Sequence, residues 1–176
     1  MPVSEAELFS FLDQLGVRTE TEEHEAFFTV EQGRQLYGER PPGHTKNLFL
    51  KDKKGQLFLV TASQDARIDL KKLHEAIGAS GRLSFGSAEL LYETLGVTPG
   101  SVTCFAVLND REGRVRMVLD ATLAREAVIY GHPLRNTATT AIRRDDLLKF
   151  LKATGHDPLI VALPEPTAAT IEAAAG

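Results

Sequence analysis

Two apolar runs, Asn47-Leu-Phe-Leu50 and Gln56-Leu-Phe-Leu-Val-Thr61, stand on either side of Lys51-Asp-Lys-Lys-Gly55. The short charged link closes with glycine and suits an exposed turn, so the runs are predicted to pair as neighbouring antiparallel strands. Any fold for this chain must place that hairpin in a sheet and cover its apolar side chains.

The rest of the sequence offers the cover. Leu8, Phe9, Leu12 and Leu15 recur at helical spacing between a capping Ser4 and a terminating Gly16, predicting an amphipathic helix over Glu5–Leu15. Val17–Glu25 suits a strand, and Thr29 with Gln32 resembles a capping box for a short helix to about Tyr37. Gly38–His44 reads as a loop. Helices are expected over Ile68–Ile77 and Ser87–Leu95, with a short strand at Leu83–Phe85 between them. Four strands are then expected at Thr103–Leu108, Val115–Leu119, Glu126–Tyr130 and Thr137–Ile142. Asp145 should cap a helix through Leu151, Gly155 should stop it, and Pro158–Leu163 supplies a last strand. Helices fall without a regular β-α-β alternation, so the expectation is one α+β domain over residues 1–163. Its sheet should be mixed and largely antiparallel, with surrounding helices. Residues 164–176 are small and lack an apolar face, as a loosely held tail would.

With 176 residues, 43% hydrophobic and 25% charged, the chain can bury a core of its own. One cysteine, Cys104, excludes an internal disulfide framework and a Cys-based zinc cluster, which points to a reducing, cytoplasmic setting. No apolar run is long enough for a membrane span, and the N-terminus has no signal-peptide pattern. The net charge of −4 disfavours indiscriminate nucleic-acid binding, but charge is unevenly placed. Residues 1–40 balance to −6, whereas residues 44–54, with Lys46, Lys51, Lys53 and Lys54 against Asp52, balance to +3.

Several chemistries lack their motifs. There is no G-x-S-x-G, and the pairs His24-Glu25 and His74-Glu75 lack the second histidine of a zinc site. Gly33-Arg-Gln-Leu-Tyr-Gly38 has phosphate-loop spacing, but Glu39 and Arg40 replace the lysine and hydroxyl residue. Cys104 reads as packing, and His24, His74 and His156 read as surface residues of a strand, a helix and a loop.

Four segments taken together resemble the YbaK/ProX family of aminoacyl-tRNA deacylases, which share a fold with the editing insertion of bacterial prolyl-tRNA synthetases. They are His44-Thr-Lys46-Asn-Leu-Phe-Leu-Lys51, Leu95-Gly-Val-Thr-Pro-Gly100-Ser-Val-Thr-Cys104-Phe, Gly131-His-Pro-Leu-Arg-Asn136-Thr-Ala-Thr-Thr-Ala-Ile142 and Leu147-Leu-Lys-Phe-Leu with Gly155-His-Asp-Pro. The resemblance spans roughly residues 4–163 and is nearest the freestanding subgroup that clears alanine from mischarged proline tRNA. Cys104 stands where the family loop has proline.

The resemblance implies a metal-independent ester hydrolase without a cofactor, whose substrate's own ribose hydroxyl helps to activate water. Its implied catalytic residues are Gly100, beside the ester carbonyl, His132, at the terminal ribose, and Lys46, near a phosphate or that ribose. Lys46, Ser101, Asn136 and Lys51 are the implied substrate contacts. The implied partners are mischarged tRNA, in particular tRNA(Pro), and transiently a synthetase, with no membrane. Two alternatives stay open on the sequence: a nucleic-acid-binding or regulatory module of the same fold without hydrolysis, and an unrelated small-ligand-binding protein.

Overall fold

The computed structural model describes residues 1–26, 30–38 and 40–167. The predicted hairpin is its centre: β2 (Thr45–Lys51) and β3 (Leu57–Ser63) pair antiparallel with Lys46 opposite Ala62, Leu48 opposite Val60 and Leu50 opposite Phe58. Asp52 shapes the turn from inside. One carboxylate oxygen accepts from the backbone N–H groups of Lys54 and Gln56, and the other from that of Ser80, all at 2.9 Å. These bonds, the Ser80 N–H foremost, hold the carboxyl below its usual range.

Two sheets are built around this hairpin. A five-stranded sheet runs in the order β4 (Ser84–Phe85), β2, β3, β5 (Val115–Asp120), β8 (Leu159–Val161), with β3–β5 and β5–β8 parallel. A three-stranded antiparallel sheet runs β1 (Thr19–Glu23), β7 (Ala138–Arg143), β6 (Val128–Gly131). Alternation divides the larger sheet's side chains between two cores. Phe49, Leu57, Leu59, Met117 and Leu119 face a large core with Leu8, Leu12, Phe105, Ile129 and Phe150. Leu50, Phe58, Val60 and Val118 face a smaller one with Leu73 and Ile77.

The sheets meet where the chain enters β2. Tyr130 N–H donates to the Gly43 carbonyl at 2.9 Å, Thr45 Oγ1 donates to the Tyr130 carbonyl at 2.7 Å, and His44 bridges Tyr130 in parallel. Gly43 has φ +100, and a Cβ there would lie 2.1 Å from the Val128 carbonyl oxygen. Only glycine combines that backbone conformation with that approach.

Helices close the cores as the apolar periodicity predicts. In α1 (Glu5–Gln14), Ser4 and Glu7 form a reciprocal capping box and Leu8 and Leu12 are buried. In α4 (Ala88–Leu95), Ser87 caps and Leu91 and Leu95 are buried. The helix α2 (Val30–Tyr37) lies where expected, but Thr29, its expected cap, is outside the described residues. The α3 helix covers only Leu73–Ile77 of the predicted 68–77. The α5 helix (Arg144–Ala153) starts one residue before Asp145, which sits in its first turn rather than at its cap. Residues 103–108, expected as a strand, instead form a 3-10 helix, Cys104–Asn109, entered through Thr103, whose hydroxyl accepts from Phe105 N–H. His156, expected on a loop surface, is buried: its Nε2 lies 2.8 Å from Asp110 Oδ2, and Nδ1 3.0 Å from Thr154 Oγ1. Of the expected tail, Pro164 accepts a backbone hydrogen bond from Asp69 at 2.7 Å, and residues 168–176 lie outside the described residues.

Candidate functional site

The glycine segment begins with a tight turn. Ser101 N–H donates to the Thr98 carbonyl at 3.0 Å and Gly100, following Pro99, has φ +93. Proline then positive-φ glycine is the type II turn arrangement, which a residue with Cβ would strain. Ser101 N–H is spent inside the turn, whereas Gly100 N–H makes no hydrogen bond among the described residues. Ser101 itself is largely buried.

A second glycine brings that segment to β6. At Gly131 a Cβ would meet Phe105 Cε2 at 3.3 Å and Thr103 Oγ1 at 3.6 Å. The segment three residues beyond Gly100 therefore packs on the residue immediately before His132. His132 Nδ1 lies 3.1 Å from the Ala138 carbonyl and must donate to it, so the neutral ring carries its lone pair on Nε2. Burial lowers the His132 pKa, and the charges of His24 and Arg40 add to that, while the bond to Ala138 opposes it. His132 is thus neutral and an acceptor at neutral pH. Asn136 lies farther along the same 132–137 loop, and Arg135 fastens that loop to Glu5 and Glu23.

Lys46 projects from the other side of the junction. Its Nζ donates to the Ala66 carbonyl, and burial lowers its pKa, with Asp120 acting in the opposite sense. The Ala66 loop is joined to α2 by the Arg34–Asp65 ion pair. Lys51 is five residues down β2, roughly 17 Å from Lys46 at the usual strand rise. The positive segment at 44–54 is therefore not one patch: Lys46 sits at the sheet junction, and Lys51, Lys53 and Lys54 at the hairpin tip.

Several residues with no assigned role in the sequence reading converge on His132. His24 Nε2 is 2.7 Å from Thr139 Oγ1, and its ring centroid is 6.4 Å from that of His132. His44 stacks on Tyr130 with centroids 4.2 Å apart and planes within 1°. Burial, and after it the charges of Arg40, His132 and His24, holds the His44 pKa down at about 4. Arg40 Nη1 lies 3.5 Å from His44 Nδ1. The signal available in the sequence was His44 at the head of one quoted segment and Tyr130 next to another.

Cys104 is fully buried in the large core, and burial raises its thiol pKa to about 12. An undissociated, inaccessible thiol has no nucleophilic role. Among the described residues no group of three or more His, Cys, Asp or Glu is arranged to hold a metal ion, and no helix is long and apolar enough to cross a membrane.

Residues 24–150 match the family model described as aminoacyl-tRNA editing domain. The chain is 39% identical over 160 residues to mouse prolyl-tRNA synthetase associated domain-containing protein 1, covering 89% of this chain and 94% of that one. It is also 39% identical over 146 residues to the prolyl-tRNA editing protein ProX of Acetoanaerobium sticklandii, covering 82% and 88%. The fold is similar to that of a solved structure of a proposed trans-editing enzyme for prolyl tRNA synthetase. That match has a TM-score of 0.67 at 20% identity and covers 93% of this chain and all of that one. This extent of similarity leads to one conclusion: the chain belongs to the aminoacyl-tRNA editing domain family, the deacylases that hydrolyse mischarged aminoacyl-tRNA.

Proposed function

We propose that this chain acts in trans on Ala-tRNA(Pro), releasing alanine by metal-independent, substrate-assisted hydrolysis of the ester, in the cytoplasm and in transient association with a synthetase. The observation that supports this reading is the packing of Thr103 and Phe105, which follow the Gly100 turn, against Gly131, which precedes His132, so that a backbone donor without a hydrogen bond and a neutral histidine acceptor lie on adjoining pieces of chain.

Ester hydrolysis needs stabilisation of the developing oxyanion, a placed water and a route for its proton. Gly100 N–H supplies the first, because nothing beyond Cα shields it. His132 Nε2 accepts from the one free hydroxyl of the terminal ribose and orients it, its neighbour carrying the ester, and the oxygen of that same hydroxyl directs water at the ester carbon. Lys46 supplies positive charge to the terminal phosphate, and Ser101 and Asn136 line the approach. Lys51, at the hairpin tip, reaches only tRNA lying well away from the ester. The residues 1–163 constitute the deacylase domain.

Release of free amino acid from a panel of charged tRNAs at catalytic protein concentration tests the reading. Multiple turnover on Ala-tRNA(Pro), unchanged by a chelator, is the expected result. Binding of tRNA with no release from any charged species would overturn it in favour of a non-catalytic module, and activity lost to chelation and restored by zinc would overturn the metal-free mechanism.

A further inference from the structure

Lys46 and Asp120 occupy one row of the five-stranded sheet. Lys46 stands opposite Ala62 in the β2–β3 pairing, and the parallel β3–β5 register, with Val60 beside Val118 and Thr61 beside Leu119, continues to set Ala62 beside Asp120. Leu50, Val60 and Val118 face the smaller core and lie an even number of residues from Lys46, Ala62 and Asp120, so alternation turns all three to that face. Two strand spacings, about 10 Å, separate the backbones of Lys46 and Asp120. Ala62 between them is fully buried and carries only a methyl group, so the longer side chains lean toward each other over it. A cavity of about 330 Å³ opens at that end of the sheet: Asp120 lines it, as does Ala66, whose carbonyl accepts from Lys46 Nζ. Asp120 is 4% exposed; its Oδ1 accepts from Thr122 N–H at 3.1 Å, and its Oδ2 accepts no hydrogen bond among the described residues. The other charged residues of the cavity, Asp65, Arg67 and Glu165, are exposed, and Asp65 is paired with Arg34.

We infer that Asp120 is a positioning residue for Lys46, its carboxylate holding the ammonium at the Ala66 carbonyl from across Ala62. The inference rests on the proposed function, in which Lys46 meets the terminal phosphate. A half-buried ammonium is costly without a negative charge nearby, and solvent screens the exposed carboxylates of the cavity far more than the buried one. Burial lowers the Lys46 pKa and Asp120 raises it. The two groups form no direct ion pair, and their separation has a use. Contact would spend the ammonium's donors on Asp120, whereas here one goes to Ala66 and the rest remain for a phosphate oxygen.

Asp120→Asn separates this role from that of a turn cap, because the amide oxygen still accepts from Thr122 N–H while the charge is gone. Lysine Cε NMR of the intact protein, with the Lys46 signal assigned by its loss in Lys46→Ala, should show Lys46 deprotonating at lower pH in Asp120→Asn than in the wild type. On charged tRNA, Asp120→Asn should lower kcat/KM about threefold, mostly through KM, and the loss should deepen as pH rises. Added to Lys46→Ala it should cost nothing further, as expected of coupled residues. Asp120→Ser, whose hydroxyl also accepts from Thr122 N–H, repeats the measurement should the amide variant fail to fold. An unmoved Lys46 titration, or losses that multiply in the double variant, would overturn the inference. If the titration moves and the wild type hydrolyses no charged tRNA, the coupling of Lys46 to Asp120 stands and the deacylase reading falls.

Discussion

Arg135 and Glu23 are joined by two parallel hydrogen bonds, Nη1 to Oε2 at 2.7 Å and Nη2 to Oε1 at 2.5 Å. The same guanidinium reaches Glu5 of α1 through Nε at 2.7 Å and Nη2 at 3.1 Å, and Thr137 Oγ1 at 2.8 Å. Arg135 depresses the Glu23 pKa and its own is raised by the two carboxylates. Beside it Leu134 adopts φ +70, a conformation that costs a leucine roughly 1 kcal/mol or more. The clamp therefore holds a loop that would otherwise relax, and that loop carries His132 and Asn136. Arg135→Ala should lower kcat at least tenfold with a smaller change in KM. Arg135→Lys should restore only part, because an ammonium cannot serve both carboxylates in two-point geometry. Steady-state kinetics on charged tRNA, with circular dichroism to confirm the fold, checks this.

The proposed mechanism uses His132 as a neutral acceptor, and its pKa is lowered by burial. An ordinary histidine would lose half its acceptor population near pH 6.5. Here the deacylation rate should hold as pH falls through 6.5 and decline only at more acidic pH. His132→Ala should remove that acidic limb and reduce kcat by about 10²-fold, and Gly100→Val should reduce it comparably while leaving tRNA affinity within a few-fold. A pH–rate profile of the wild type and both variants measures all three effects.

His44 gives a separate pH signature, in stability. Its folded pKa is about 4 against an ordinary 6.5, so between these values the unfolded chain binds a proton that the folded chain refuses. Stability contributed by neutral His44 is complete above about pH 6.5 and is lost as pH falls towards 4. Burial foremost, and then the charges of Arg40, His132 and His24, disfavour the added proton. After solvent screening the loss should be on the order of 1–2 kcal/mol. Urea unfolding of wild type and His44→Gln between pH 7 and 4 should give a shallower slope for the variant.

Lys46 and Lys51 should separate in a salt series. Lys46→Ala removes a half-buried cation to which the proposed mechanism gives the terminal phosphate, and should cost about tenfold in kcat/KM. Lys51→Ala removes an exposed charge at the hairpin tip and should cost less than threefold, confined to low ionic strength. Equal losses for the two would contradict their separation along β2.

Elements whose signal is local were legible in the sequence. The hairpin, α1 and α4 each announce themselves through apolar spacing and a cap. Residues 103–108 misled because Thr, Cys, Phe and Val favour strands, while the tertiary contact of Phe105 and Thr103 with Gly131 fits a tightly wound helix. The candidate site divided in the same way. Lys46, Gly100 and His132 stand inside recognisable segments. Arg135 acquires its meaning from Glu5, 130 residues away, and His24 from Thr139, 115 residues away, and no local pattern records such pairings.

Gly43 makes the two sheets a single mechanical part. Lys46 rides on one sheet and His132 on the other, and the strip of backbone between Gly43 and Tyr130 is where they are riveted. The spacing between the strand that carries Lys46 and the loop that carries His132 is thereby decided by main-chain geometry rather than by side-chain choice. Side chains on either sheet can be exchanged while the gauge between the Lys46 strand and the His132 loop is preserved. Altering that gauge would require the rivet itself to move.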